Sequence, residues 1–498
     1  MQWSKIARQH WQRRFLPSAL LSLITLIGAL LFSWQPAAVA NEALHYTELE
    51  FPPLGEVQIP PYERYELENG LTVYLMEDHE LPLIGGTATF RSGDRYEPED
   101  QVGLAKVVGE AMRLGGTRSH SPDELNQLLE QRAAAIETGI DTTAGSASFN
   151  ALSADTATIF ELFSEVIRYP AFAPDKIDFL KNQYRGSIAR RNDSPNSIAQ
   201  REFSKLVYGH DSPYARTIEY DTLNNFDRED ILEFYRASVQ PDQMILGIVG
   251  DFEPAAMKAL ITEFFGDWQA EANTAYDFDR PTVTQAKTGV FLVNQPQLTQ
   301  SSVQIGHLGG QLNGEDYPSM SVLNEVLNGF SGRLFNQVRS QQGLAYSVYA
   351  VWSPRYDYPG TFFGGGQTRS ETTVPFVKAV LAQLESIRER PIAASELQQA
   401  KDSVLNSFVF NFQSPNQTLS RLIRYEYYGY PADFVFRYQQ GVAAVEVEDV
   451  LRAAQSNLKP EQLVILVVGN AEAIQPPLSS LTNDEVTPID ITIPQPRV

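Results

Sequence analysis

Two side chains of complementary chemistry stand seven positions apart in residues 335–350, FNQVRSQQGLAYSVYA: Arg339 and Tyr346. A guanidinium presents forked N–H donors that match peptide carbonyls. A phenol donates one hydrogen bond, and a donor preorganised toward a developing oxyanion is worth about 3 kcal/mol of barrier. Gly343 supplies a turn between them, and the alternating run from Tyr346 to Ala350 predicts a strand. On residue types alone the pair suits packing as well as chemistry, so the case rests on the frame that holds it.

Other chemistries are excluded first. The chain has no Cys, which removes disulfides, thiolate metal sites and cysteine nucleophiles. Its six His residues (His10, His45, His79, His120, His210 and His307) all lie more than ten positions apart, so none forms a local metal motif. No G-x-S-x-G is present. Gly364-Gly365-Gly366 is followed by no Gly-Lys-Ser/Thr and reads as a strand with close backbone approach, not a phosphate loop. A formal charge of −22 argues against a nucleic-acid partner, which needs a basic face.

The elements that must position the pair follow from patterning. With 498 residues, 43% hydrophobic and 20% charged, the chain is a folded protein of more than one domain. Residues 1–40 read as an export signal: Lys5, Arg8, Arg13 and Arg14 precede an apolar run, and Ala38-Val39-Ala40 is a small-x-small cleavage site. Once cleaved, the mature protein is expected outside the cytoplasm, periplasmic or extracytoplasmic, with no membrane segment; the alternative is an uncleaved anchor, because the apolar run approaches spanning length. Residues 41–61 are a Pro-rich extended lead-in. Residues 65–75 predict a hairpin turning at Asn69-Gly70, and 83–90 a strand. Residues 103–114 predict a helix, and Ser121-Pro122 starts another. Residues 136–152 predict strands, 156–167 and 174–191 helices, and 244–249 a buried strand. Residues 328–335 predict a helix end, a Gly-containing loop and a new helix.

An internal repeat organises all of this. Glu229-Asp230-Ile231-Leu232, Pro241 and the apolar run ending at Gly250 recur as Glu448-Asp449-Val450-Leu451, Pro460 and the run ending at Gly469, each at an offset of 219. Pro170 and Lys181 find Pro391 and Lys401 at offsets of 221 and 220. A period this long means two tandem copies of one domain, not a solenoid. The division is 62–275 and 290–475, with a linker at 276–289 and a tail at 476–498. The fold class is α+β: two homologous α/β sandwich domains, each with helices packed on a mixed, largely antiparallel sheet.

Two such domains, opening with LENGLTVYL, resemble the pitrilysin-type peptidases, the group that includes insulin-degrading enzyme and the mitochondrial processing peptidase. The resemblance spans nearly the whole mature chain. It implies half of a clam-shell chamber, completed by a second chain. It also implies an H-x-x-E-H helix, whose two His hold zinc and whose Glu is the general base, with a downstream Glu as third ligand. The surrounding frame is here as Gly103-Leu104-Ala105 and Gly116-Thr117, but the zinc residues are not. Counted from Gly103, the positions hold Lys106, Gly109 and Glu110; counted from Thr117, they hold Val107, Glu110 and Ala111. The third-ligand position falls near Ser187, and no Glu occurs between Glu165 and Glu202. The family's other signature, R-x-x-x-G-L-A-Y-like, is present as Arg339 and Gly343-Leu344-Ala345-Tyr346.

The resemblance therefore implies a zinc-free chain, without metal or cofactor of its own and inactive alone. It would supply Arg339 and Tyr346 in trans as substrate-binding groups to a homologous H-x-x-E-H subunit that carries the zinc and cuts peptides. The alternative it implies is a non-enzymatic scaffold or peptide-binding homologue, like the family members in the cores of respiratory complexes.

Overall fold

The computed structural model describes residues 57–271, 280–329 and 332–495. The export segment 1–40, most of the 41–61 lead-in and the start of the 276–289 linker lie outside these residues. Two six-stranded sheets form the framework. The first contains β1 (Glu63–Glu66), β2 (Thr72–Glu77), β3 (Leu83–Phe90), β4 (Ala135–Ile140), β5 (Gly145–Leu152) and β6 (Met244–Gly250), in the order β1-β2-β6-β3-β5-β4. The second contains β7 (Gly289–Asn294), β8 (Gln300–Leu308), β9 (Ser347–Ser353), β10 (Thr361–Arg369), β11 (Val464–Gly469) and β12 (Thr487–Pro488), in the order β12-β7-β11-β8-β10-β9.

One topology is used twice. β2 runs parallel to β6, while the β6–β3, β3–β5 and β5–β4 pairs are antiparallel. β7 runs parallel to β11, while β11–β8, β8–β10 and β10–β9 are antiparallel. The repeat reaches side chains. Lys181 donates Nζ to the carbonyl of Phe226, and Lys401 donates to Val445 at 3.0 Å, two acceptors again 219 positions apart. The first hairpin turns where Asn69-Gly70 predicts it, with Gly70 at φ 87°.

β6 and β11 explain their own sequences. MILGIVG and VILVVG are buried along their whole length, which is the pattern of central strands covered on both faces. One face of each packs on the helices of its own half. The other is covered by a helix from the opposite half. Helix Pro415–Tyr428 lays Leu419, Leu422 and Ile423 against Tyr74, Met76, Ile245 and Val249. Helix Pro195–Tyr208 lays Ile198, Phe203 and Val207 against Phe291, Val293 and Leu466. Each buried aliphatic side chain contributes about 1.5–3 kcal/mol, so this reciprocal exchange binds the two halves into one body.

The new helix expected after the Gly-containing loop is Leu334–Gln341, and it is π-helical, with Leu334 and Val338 buried. Gly343 N–H returns to the Arg339 carbonyl at 3.1 Å, and Leu344 N–H reaches back to Val338 at 3.1 Å.

Candidate functional site

The helix Leu104–Leu114 resolves the two registers. Val107 and Ala111 are fully buried among the core, along with Leu104, Val108 and Met112. Lys106 and Glu110, four positions apart, share the half-exposed face. Val107 and Ala111 of the other register therefore lie in the core, whereas in the Gly103 register the two histidine positions, Lys106 and Glu110, face outward.

Each of these residues has a partner within the chain. Lys106 Nζ lies 3.1 Å from the Asp94 carboxylate. Glu110 accepts the Tyr184 hydroxyl at 2.7 Å. Burial, and then this hydrogen bond, push the Tyr184 phenol well above its ordinary range. Gly109 stands at the general-base position and is closed by backbone: a Cβ there would lie 2.4 Å from Ile140 N. The helix thus packs directly on edge strand β4, and no side chain larger than hydrogen fits between them. Ser187, at the third-ligand position, is exposed and donates Oγ to the Gln183 carbonyl at 3.1 Å.

Glu97 holds the start of this helix. Its buried carboxylate accepts the N–H groups of Gly103 at 3.0 Å and Ala105 at 2.9 Å, where the helix dipole favours negative charge. Burial outweighs both bonds and pushes its pKa up to about 7.

The described histidines do not rebuild a metal site. His79 pairs with Asp251 at 2.8 Å, His120 with Glu165 at 2.9 Å and His210 with Asp211 at 2.7 Å. His307 is buried, with Nδ1 on the Leu308 carbonyl at 2.8 Å and Nε2 accepting from Lys459 N at 3.1 Å. Among the described residues no group of three or more His, Cys, Asp or Glu is placed to hold a metal ion. The residues at the zinc positions do not fit the ion: an ammonium, a glycine against backbone and a carboxylate held by a phenol.

Arg339 and Tyr346 are brought together by the second half alone. The π-helix packs chiefly on β9 and on helices Tyr317–Asn328 and Thr373–Glu389. Its start is held by Arg333, which grips Glu396 with two bonds of 2.8 Å. Past the turn, the Leu344 carbonyl accepts Thr368 Oγ1 at 2.6 Å, and Tyr346 N–H pairs with the Gln367 carbonyl at 3.2 Å. Tyr346 therefore sits at the head of edge strand β9 with 79% of its surface exposed. The Arg339 guanidinium lies 4.9 Å from the Phe335 ring centre and 5.8 Å from that of Tyr346. Ring faces orient it without using its donors, and no hydrogen bond of its side chain is made to another described residue. Exposed π-type turns of this kind recur at functional positions.

Farther along β9 the free edge is sealed. Asn328 exchanges two hydrogen bonds with Ala350, 2.9 and 2.7 Å, and Asn324 exchanges two with Trp352, 2.8 and 2.9 Å. The two amides imitate a neighbouring strand, which leaves the beginning of β9, beside Tyr346, as its open end. Tyr184, Glu97, Asn324 and Asn328 escaped the sequence reading. Only the i, i+4 spacing of the two asparagines could have flagged them as sharing a helix face.

The chain is similar to known proteins throughout this region. A family model described as "Insulinase (Peptidase family M16)" matches residues 88–221, and one described as "Peptidase M16 inactive domain" matches residues 225–404. An uncharacterized zinc protease, YmxG, of Bacillus subtilis is 23% identical over 363 residues, 72% of this chain and 86% of that protein. A Helicobacter pylori protein named "Non-peptidase homolog YmxG" is 22% identical over 400 residues, 76% of this chain and 87% of that one. The crystal structure of a peptidase M16 inactive domain from Pseudomonas fluorescens superposes with a TM-score of 0.74 at 22% identity, covering 84% of this chain and 100% of that one.

Proposed function

For a chain that belongs to the M16 (pitrilysin) peptidase family and holds no metal-binding group among its described residues, we propose the role of the zinc-free, Arg/Tyr-bearing subunit of a two-chain peptidase. Its partner is a homologous chain with an intact H-x-x-E-H helix, and the substrate is a peptide held between them. The observation that carries this reading is the pairing of an exposed Arg339 with an exposed Tyr346 in a chain whose own zinc helix is closed by Gly109. Arg339 gives its forked donors to substrate carbonyls. Tyr346 donates its hydroxyl to the carbonyl oxygen as negative charge develops on it. The reaction centre itself belongs to the partner. The reading sets this work outside the cytoplasm, on the support of the export-like sequence of residues 1–40.

The test is reconstitution. The purified chain and a zinc-motif homologue from the same source are assayed apart and mixed. Activity should appear only in the mixture, and Tyr346→Phe should lower kcat by about 10²–10³-fold, the usual loss for one oxyanion donor. An inert mixture, or a Tyr346→Phe chain as active as the parent, sinks the in-trans role. A tight but inert complex, indifferent to Arg339, points to the scaffold reading.

A further inference from the structure

A second site lies where the halves meet. A cavity of about 620 Å³ opens between them, within the range of about 300–1,000 Å³ usual for ligand pockets. Its first wall is Thr87 and Thr89 of β3 and the turn at 141–143; its second is the segment 355–358 and the helix Pro415–Tyr428.

The walls are built firmly. Tyr427 donates its hydroxyl to the Thr143 carbonyl at 2.7 Å, and the Tyr428 hydroxyl meets Thr143 Oγ1 at 2.7 Å. Tyr428 stacks on Tyr356 with ring centres 4.7 Å apart and planes 8° from parallel. Asp357, between Tyr356 and Tyr358, is buried against Arg95. Aromatic faces held this way bind flat or apolar groups with little loss of side-chain entropy.

The charges decide what the cavity takes. Each of its carboxylates is engaged through one oxygen. Asp357 is held by Arg95 at 2.8 Å, with Arg280 at 3.6 Å. Asp141 accepts the N–H groups of Thr143 at 2.7 Å and Ala144 at 2.8 Å. Its two cations are not engaged. Arg355 and Arg424 are exposed, and neither side chain makes an ion pair or hydrogen bond with a described residue. Arg424 only overlies Tyr356, at 5.9 Å. This happens in a chain with 61 acidic and 39 basic residues, where a carboxylate partner is easily supplied.

We propose that this cavity binds a carboxylate of a peptide, with Arg355 and Arg424 gripping the anion and the tyrosines packing the adjoining side chain. The carboxylate is the free C-terminus or an acidic side chain, since both offer the same acceptor pair to a guanidinium. The inference rests on the peptide-handling part of the function proposed above. It adds a selection for acidic or C-terminal segments, away from Arg339 and Tyr346.

The test uses this chain alone, without a peptidase partner. Fluorescein-labelled Gly-Ala-Phe is offered as the free acid and as the C-terminal amide, beside amidated Gly-Glu-Phe and Gly-Gln-Phe, with binding read by anisotropy. If the C-terminus is the ligand, the free acid binds at least about tenfold tighter than its amide, the size of one to two charge-assisted bonds. If a side chain is the ligand, the Glu peptide shows that advantage over the Gln peptide. In either case the R355Q/R424Q double variant, altered only at exposed positions, loses the advantage. Added salt erodes it as well. Equal binding of all four peptides, no binding, or an unaltered preference in the double variant overturns the proposal. A mixture active through Tyr346 but with no carboxylate preference refutes this site and leaves the peptidase role standing. Carboxylate binding beside an inert mixture refutes the peptidase role and keeps the site.

Discussion

Arg95, ahead of the first helix, and Asp357, in the loop after β9, form an ion pair at 2.8 Å across the junction of the two halves, with side chains only 3% and 2% exposed. Arg95 also donates to the Tyr96 hydroxyl at 2.6 Å and lies 4.7 Å from the centre of that ring. A pair this deep gains little over well-packed apolar side chains, because both charges lose their hydration. Removing one partner strands the other, at a cost of about 3–5 kcal/mol. Asp357→Ala should lower the unfolding free energy by that amount in urea titrations. The R95M/D357L double variant should recover most of the loss. A single variant as stable as the parent would mean that water already reaches the pair.

Restoring the zinc motif by substitution should fail, and Gly109 is the reason. Lys106→His and Glu110→His place imidazoles on one helix face, but Glu at 109 must displace Ile140 and Gly139 of β4. Overpacking a close contact costs about 1–3 kcal/mol, and the strand backbone offers no flexible end to move. Gly109→Ala alone should lower Tm measurably. The K106H/G109E/E110H chain should bind no stoichiometric zinc by metal analysis. Zinc retained at one per chain would show that the helix can lift from β4.

The contrast between legible and illegible features is physical. Asn69-Gly70, the Ser121 capping box and the unbroken apolar runs of β6 and β11 act over a few residues, and each formed as local chemistry requires. The repeat carried the topology, because equal sequences at a fixed offset must build equal sheets. Helices Pro195–Tyr208 and Pro415–Tyr428 show amphipathic faces, yet nothing in a helical period says which sheet the face will cover. Both cover the sheet of the opposite half. The zinc-like register stayed open in the sequence, since one extra residue fits both ends of the frame. Burial of Val107 and Ala111 decided it. Arg339 and Tyr346 were legible as a spacing, but their closeness depends on a π-turn that composition does not announce.

Two buried groups should set opposing pH dependences. Burial pushes the Glu97 pKa up to about 7, so the native state holds this proton where the unfolded chain has released it. Its contribution is full below the ordinary carboxylate range and is lost as pH rises toward 7. Burial lowers the His307 pKa to about 4, so the unfolded chain takes up a proton that the native ring refuses. Its contribution is full above about 6.5 and is lost as pH falls toward 4. Each amounts to about 3 kcal/mol over its range, and the two nearly cancel across the interval they share. Glu97→Gln loses one of the two helix-capping bonds, yet it should remove the first dependence and expose the second. The variant should lose stability on acidification from pH 6.5 to 4.5 by about 2–3 kcal/mol more than the parent does. Urea unfolding at several pH values measures this, and parallel profiles would place the Glu97 proton off the native state.

The sealed edge of β9 gives the last test. Asn324 and Asn328 satisfy the N–H and C=O groups of Trp352 and Ala350, both buried residues. Truncating either amide leaves two backbone groups without partners, and each unsatisfied group costs about 1–3 kcal/mol. Asn324→Ala and Asn328→Ala should therefore each destabilise the chain by more than a typical surface substitution, with Asn328→Ala the greater because Ala350 is fully buried. The double variant should do more than lose stability. It unmasks two alternate positions on one strand, Ala350 and Trp352, next to the end of β9 that is already open, and an unpaired strand edge recruits other strands. Sedimentation velocity should show concentration-dependent self-association in the double variant and none in the parent. If the double variant stays as dispersed as the parent, the helix Tyr317–Asn328 shields the edge by bulk alone, and the amides serve only to satisfy its backbone.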